Sequence, residues 1–187
     1  MALVFSALAS LDGYTVDSSG SFDWAAPDEE VHAVVNARER GIGTYLYGRR
    51  MFETMRVWQD IGANDEPAVM REYADIWRAT DKVVYSSSLT GVDTPRTRVE
   101  PVFDPAAVRA LVETAPGDVS IGGPTIAAAA FRAGLVDAVE LYLVPVSVGG
   151  GTPALPTDLM LHLELTEEHA FPSGTVMLRY RVSAPAA

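Results

Sequence analysis

Three short stretches carry the residue types that hold a phosphate. Gly48-Arg49-Arg50 sets two guanidinium groups beside a glycine, Ser86-Ser87-Ser88 lines up three hydroxyls, and Gly122-Gly123-Pro124-Thr125 strips the side chains from the approach to a helix. Guanidinium groups pair bidentately with phosphate oxygens. Bare backbone N–H groups at the head of a helix add fixed partial positive charge. Taken singly, each stretch has a plainer explanation: a solvated surface pair, a polar turn, a tight turn before a helix. What sets them apart is position. Each closes an apolar run that reads as a buried strand, and a fourth such ending lies at Ser10-Leu11-Asp12-Gly13-Tyr14. In a sheet of parallel strands, ligands settle at the carboxyl ends. Four strand ends with partners for phosphate and ribose point to a dinucleotide.

The elements that must position these turns follow from periodicity. Ala2 to Ala9 is an almost continuous apolar run, the pattern of a strand covered on both faces, and Asp12-Gly13 turns it. Thr15 to Asp23, polar and rich in serine and glycine, is expected to be a mobile loop. Trp24 then precedes Pro27, a good first helical residue, and the helix that follows carries Val31, Val34, Val35 and Arg38 on one face. Ile42 to Tyr47 predicts a second buried strand, Met51 to Trp58 a short helix, Ala68 to Thr80 another helix, Lys82 to Tyr85 a strand and Thr97 to Val102 a short additional one. Asp104-Pro105 supplies a capping residue and a first-turn proline for a helix reaching about Thr114. Asp118 to Ile121 is the strand that runs into the glycine pair; a helix covers Thr125 to Ala133, and Ala138 to Val144 is again an apolar strand. Leu161 to Glu168 and Thr175 to Val182 pair as a hairpin across Pro172-Ser173-Gly174. Strands alternating with helices and finishing in antiparallel strands predict an α/β fold of three layers, with a mostly parallel central sheet and an antiparallel C-terminal edge hairpin. A single domain is expected over 1–187, with Ala184 to Ala187 as a disordered tail.

Composition narrows the function classes. With 187 residues, 48% of them hydrophobic, the chain can bury a substantial core. No apolar run reaches the roughly 18 to 20 residues of a membrane span, and the Met1-Ala2-Leu3-Val4 start lacks a basic leader, so a soluble, cytoplasmic protein is expected. The absence of cysteine excludes disulfides, thiolate metal sites and thiol nucleophiles. The histidines His32, His162 and His169 have no metal-ligand spacing, and no metal is expected. A formal charge of -11 argues against nucleic acid and anionic membrane as partners, because a phosphate polymer meets net repulsion. An anionic ligand must find a local cluster of donors.

Four segments, in this order, carry a family resemblance: Ala-Leu-Ala-Ser-Leu-Asp-Gly-Tyr (7–14), Leu-Tyr-Gly-Arg-Arg-Met-Phe-Glu (46–53), Lys-Val-Val-Tyr-Ser-Ser-Ser-Leu (82–89), and Ile-Gly-Gly-Pro-Thr (121–125) through Gly-Leu-Val-Asp-Ala-Val-Glu-Leu-Tyr-Leu-Val-Pro-Val (134–146). The chain resembles the dihydrofolate-reductase superfamily from Leu3 to about Val182. More closely, it resembles the branch that holds the C-terminal reductase domain of bacterial riboflavin biosynthesis.

The resemblance implies an oxidoreductase using NADPH on a small-molecule substrate. By analogy, Gly48, Arg49 and Arg50 would grip the 2′-phosphate and pyrophosphate, Ser86 and Ser87 would lie on the adenosine side, and Gly122, Gly123, Pro124 and Thr125 would form the pyrophosphate loop. The family joins its glycine pair by a cis peptide. Ala7 and Tyr14 would flank the nicotinamide, with Thr15 to Asp23 as a lid that excludes water from hydride transfer. Trp24, Val31, Val34 and Val144 would line the substrate. The folate enzymes place an acid on the helix just after a tryptophan; counting from Trp24 reaches Glu29 or Glu30. Glu30 is preferred, one turn before Val34 at the border of the expected buried face, where desolvation would raise its pKa. Acids at a helix start also have a purely electrostatic rationale in the helix dipole. Two departures bear on substrate. Val144 replaces the threonine whose hydroxyl orders acid and pterin in the folate enzymes, and Arg50 to Asp60 does not reproduce the riboflavin reductase's ribose-phosphate contacts. A homodimer is implied through Leu141 to Val146 and Val148 to Leu155. A non-catalytic NADP(H)-binding protein and a divergent dihydrofolate reductase are the competing readings.

Overall fold

The computed structural model describes residues 1–62 and 67–183; the tail expected at 184–187 lies outside the described residues. Among the described residues, ten strands and six α-helices follow in chain order. They are β1 (Leu3–Ser10), β2 (Tyr14–Asp17), α1 (Glu29–Glu39), β3 (Ile42–Gly48), α2 (Arg49–Met55), α3 (Val57–Asp60), α4 (Ala68–Ala79), β4 (Asp81–Tyr85), β5 (Thr97–Glu100), α5 (Pro105–Thr114), β6 (Asp118–Gly122), α6 (Pro124–Arg132), β7 (Ala138–Val144), β8 (Gly151–Pro153), β9 (His162–Ala170) and β10 (Val176–Ser183). Eight of the strands form one sheet in the order β5-β4-β3-β6-β1-β7-β10-β9. The first six in that order pair in parallel, and β10 joins antiparallel to both β7 and β9, so the C-terminal hairpin is the antiparallel edge anticipated from the sequence.

Side-chain alternation sorts the two faces of the sheet. Leu3 and Phe5 of β1, Val119 and Ile121 of β6, and Val139 of β7 pack with Ile126, Ala127 and Phe131 of α6 and with Val108 of α5. The opposite face carries Tyr45 and Tyr47, stacked at 5.4 Å, against Tyr73 and Trp77 of α4. On that face α1 runs antiparallel to β1. Val31, near its start, packs with Tyr142 and Met177 and with Leu8 late in β1, whereas Arg38 and Glu39, at its end, face Val4 and Ser6. Helices on both faces of the sheet make the three expected layers.

Three local expectations are corrected. Helix α1 starts at Glu29 rather than at Pro27, because the Asp28 carboxylate accepts from the Val31 N–H at 2.9 Å and caps it. The segment expected to be a mobile loop from Thr15 contains a strand: β2 pairs antiparallel with β8, which lay hidden in a glycine-rich run. The rest of that segment folds back on Asp17, whose Oδ1 accepts from the backbone of Ser19 and Ser21. Finally, no cis peptide occurs among the described residues; Gly123 meets the turn instead with a φ of +100°.

Candidate functional site

Strands β4, β3, β6, β1 and β7 are consecutive neighbours and all parallel, so their carboxyl ends form one edge. Gly48 is in register with Tyr85, Tyr47 with Gly122, and Ser10 with Val144. The turns singled out in the sequence therefore stand side by side. Parallel register is the physical reason: each strand enters from the same end of the sheet, and the chain must turn where each one stops.

The glycine pair has reasons of its own. A Cβ on Gly122 would lie 2.9 Å from the Tyr47 ring, and one on Gly123 would lie 3.1 Å from the Met51 Cβ, besides the positive φ that Gly123 adopts. Strand β6 and helix α6 close on α2 only because both side chains are missing. Gly123 caps α6 with no side-chain bond and Pro124 fills its first turn, leaving exposed Thr125 at the helix head.

The two arginines behave differently. Arg49 is half exposed and already engaged, donating from Nε to Glu53 Oε1 at 2.7 Å and from Nη1 to Ser88 Oγ at 3.0 Å. Arg50 is exposed, and among the described residues its guanidinium has no hydrogen bond or ion pair. The serines divide in the same way. Ser86 is buried, and its Oγ accepts from the N–H groups of Ser88 and Leu89, closing the turn; Ser87 is exposed. Ser88, which the sequence reading passed over as part of a run, is the serine that reaches Arg49. This cluster of free cation, exposed hydroxyl and glycine-flanked helix head is a donor set that suits the phosphates of a dinucleotide.

At the other end of the edge, Ala7 is half-buried in β1, and Tyr14 opens β2 with its N–H donating to Ser10 Oγ at 2.9 Å. Asp12 has a structural role that sequence reasoning missed. Its carboxylate accepts from the N–H groups of Val148 and Gly149, at 3.1 and 2.7 Å, and clips the turn after β1 to the segment before β8. The Ser10 hydroxyl and those two N–H groups hold it well below the usual carboxylate range. The Asp-Gly turn signal was visible, but its partner lies 136 residues away.

The residues expected around a substrate do not all face outward. Trp24 sits half-buried in a short 3-10 turn and donates from Nε1 to the Ser21 carbonyl at 3.2 Å. Val34 is half-buried. Val31, by contrast, is fully covered by Tyr142, Phe171 and Met177, so it supports this wall from behind. Val144 is 5% exposed and opposite Ser10 in the sheet. Glu30 departs from expectation: it is exposed on the first turn of α1, and the desolvating surroundings anticipated for it are absent. Neighbouring Asp28 is held low by the Ser173 hydroxyl and the Val31 N–H and stays ionised, which fits it for capping rather than for carrying a proton.

Comparison with known proteins agrees with this arrangement. The family model described as RibD C-terminal domain matches residues 2–178. The uncharacterized protein YyaP of Bacillus subtilis (strain 168) is 25% identical over 182 residues, covering 95% of this chain and 93% of that protein. Among solved structures, a protein assigned to riboflavin biosynthesis from Shewanella sp. PV-4 superposes with a TM-score of 0.77 at 18% identity, over 98% of this chain and 100% of that one. Dihydrofolate reductase from Enterococcus faecalis, in complex with NADP(H) and RAB-propyl, superposes with a TM-score of 0.62 at 14% identity, over 98% and 97%. With the strand order, the shared edge of turns and a family match spanning nearly its whole length, the chain belongs to the RibD C-terminal domain family, on the dihydrofolate-reductase-like fold.

Proposed function

We propose that this protein is an NADPH-dependent reductase that delivers hydride to a C=N or C=O bond of a small pyrimidine- or pterin-like heterocycle. The observation that carries the reading is the common edge on which Arg50, Ser87 and the head of α6 present donors that are unpaired among the described residues, beside a pre-ordered Arg49. Arg50 would take the 2′-phosphate, Arg49 would hold the turn that presents it, and the backbone N–H groups past Gly123 would take the pyrophosphate. The cofactor, when bound, supplies a hydride from its nicotinamide ring. Ala7 and Tyr14 would set the position of that ring, while β2 and the turn through Trp24 would keep water from the reacting atoms. Reduction of a C=N bond by hydride leaves nitrogen in need of one proton, and Glu30 is the acid on hand at the start of α1. The family match and the NADP(H) complex of a protein with the same fold support this reading.

A second reading, a non-catalytic NADP(H)-binding protein, draws on one observation: Glu30, the acid a reductase would call on, is exposed on the first turn of α1 rather than set in a buried wall. Thermal stabilisation measured with NADPH, NADH and a panel of pterins, pyrimidines and flavins tests cofactor binding. Steady-state NADPH oxidation over the same panel separates the two readings. Stabilisation by NADPH with turnover of one panel member supports the reductase; stabilisation with no turnover supports the binding protein; no stabilisation by either cofactor overturns both. A cytoplasmic homodimer belongs to the same proposal. Sedimentation at micromolar concentration checks the oligomeric state, and a species of 20.0 kDa alone would contradict the dimer.

A further inference from the structure

A second polar site lies on the same sheet face, at the far end from the strand-end turns. Under the last turn of α1, Ser6, Ser120, Glu140 and Arg179 from four adjacent strands meet Arg38 and Glu39 around a cavity of about 140 Å³. That is about the room a benzene-sized molecule takes. Exposed Gly41 and half-buried Asp118 stand at its edge.

The hydrogen-bonding capacity around this cavity is unevenly used. Glu140 is only 3% exposed and fully engaged, with Oε1 accepting from the Tyr142 hydroxyl at 2.8 Å and Oε2 from Arg179 Nη1 at 2.9 Å. Arg38 Nε stands 3.4 Å from that same Oε2 without closing a hydrogen bond, while its Nη2 turns outward to Glu167. Two buried atoms on consecutive residues of α1 thus lack a hydrogen bond: Arg38 Nε, held only by its ion pair with Glu140, and Glu39 Oε2, on a residue that is 9% exposed and has the Tyr45 hydroxyl, itself without a hydrogen bond, nearby. Buried polar groups are almost always paired, and each orphan in a native fold asks for an occupant. Arg38 Nε–H can only donate, and the Glu39 carboxyl, which burial pushes up to about 7, is an acceptor alone once the pH rises past that value.

We propose that this cavity is a binding site for a small uncharged molecule bearing an amide-type group, whose C=O accepts from Arg38 Nε while its N–H donates to Glu39 Oε2. Charge decides the class. An anion would face Glu140 and Asp118, an organic cation would face Arg38 and Arg179, and among the described residues no group of carboxylates and histidines is arranged to hold a metal ion. An uncharged donor–acceptor pair satisfies both orphans and brings no further charge into a buried place. The hydroxyls of Ser6 and Ser120 rotate to serve either as donors or as acceptors at its flank. The site is separate from the strand-end edge and stands whether or not the protein is a reductase.

The test is a titration of the full ¹⁵N-labelled chain with acetamide, followed through its backbone amide signals, with acetate and methylammonium as charged controls. Acetamide at millimolar concentration is expected to shift the signals of Ser6, Gly41, Ser120 and Glu140 saturably and to leave those of Gly48 and Gly122 in place. Acetate and methylammonium are expected to do neither. Arg38→Met and Glu39→Leu should each weaken acetamide at least about tenfold, the loss of one hydrogen bond. If either variant fails to fold, the ligand panel on the unaltered chain decides. Absence of saturable shifts, an equal response to a charged control, or shifts confined to the strand-end turns would overturn the proposal. Loss of NADPH binding would leave it untouched.

Discussion

Arg49 Nη1 donates to Ser88 Oγ at 3.0 Å, joining the turn after β3 to the turn after β4 across two neighbouring parallel strands. Arg50, the next residue, has no such tie among the described residues. One arginine of the pair therefore ties two turns together, while the other extends into solvent.

Binding of NADPH is expected to exceed binding of NADH, and Arg50→Ala should abolish the difference. Loss of one charge-assisted phosphate contact is worth roughly 1.5 to 3 kcal/mol, or about ten- to over a hundredfold in affinity. Arg49→Ala should weaken both cofactors together, since it loosens the serine turn. Calorimetric titration of the wild type with the two cofactors is decisive: equal affinities would remove the arginines from the 2′-phosphate.

Gly123→Val should lower stability and cofactor affinity together. Its φ of +100° is strained for a residue with a Cβ, and that Cβ would meet Met51 at 3.1 Å. A cost of about 1 to 3 kcal/mol corresponds, for a chain of this size, to a fall in Tm of roughly 2 to 12 °C. A folded variant with unchanged Tm and unchanged NADPH affinity would reduce the glycine pair to an ordinary turn.

Gly151→Ala should detach β2 from β8. A Cβ there would sit 1.9 Å from the Val16 carbonyl oxygen, backbone that cannot swing aside, and φ is +138°. Hydrogen exchange of the β2 amides should rise by an order of magnitude or more while β1 and β7 stay protected. Unchanged exchange in β2 would show that the pairing does not depend on this close approach.

Stability should decline as pH rises from about 4.5 to about 7, in part through Glu39. Burial pushes its carboxyl from the ordinary 4.5 up to about 7; the nearby Tyr45 hydroxyl opposes this and the charge of Glu140 adds to it. The folded chain then holds a proton that the unfolded chain has released. The contribution is fully present below the unfolded value, is lost across that window and is level above it, roughly 3 kcal/mol in all. Glu39→Gln should flatten this slope in urea-unfolding free energies measured from pH 4 to 8. Parallel curves for variant and wild type would show that Glu39 ionises normally.

Turnover of dihydrofolate should be slow or absent, with NADPH binding retained. Val144, buried opposite Ser10, offers no hydroxyl where acid and substrate would need one, and an unpaired polar group costs on the order of 1 to 3 kcal/mol. Val144→Thr should raise any residual rate and Glu30→Gln should lower it. Wild-type turnover at tens per second, the ordinary enzyme range, would show that Val144 is no obstacle. A residual rate indifferent to Glu30→Gln would point to another proton source.

Much of the fold was legible because its signals are local. The cap and proline at Asp104-Pro105, the apolar run into Gly122-Gly123 and the hairpin across Pro172-Ser173-Gly174 each depend on a few consecutive residues, and each element forms within a few residues of its expected span. The strand-end turns were legible for the same reason. Strand β8 was not, because three residues starting at the end of a run of glycines carry no periodicity, and their pairing with β2 exists only in three dimensions.

The sequence by itself determined which turns hold groups chemically suited to a phosphate, since a strand that stops must turn and the residue types there are read directly. Only the tertiary structure decided which of those groups remain free. Arg49 and Arg50 are chemically equal in the sequence; a serine 39 positions away engages one of them. Nothing in the sequence singles out Glu39 or Glu140, and only the packing of α1 on the sheet sets Arg38 and Glu39 over Glu140 and Arg179. Glu30, expected at the edge of a buried face, lies outside it because α1 turns His32, Asn36 and Glu39 inward as well as Val31. Burial and pairing depend on which distant segments become neighbours, and no short stretch of chain contains that information.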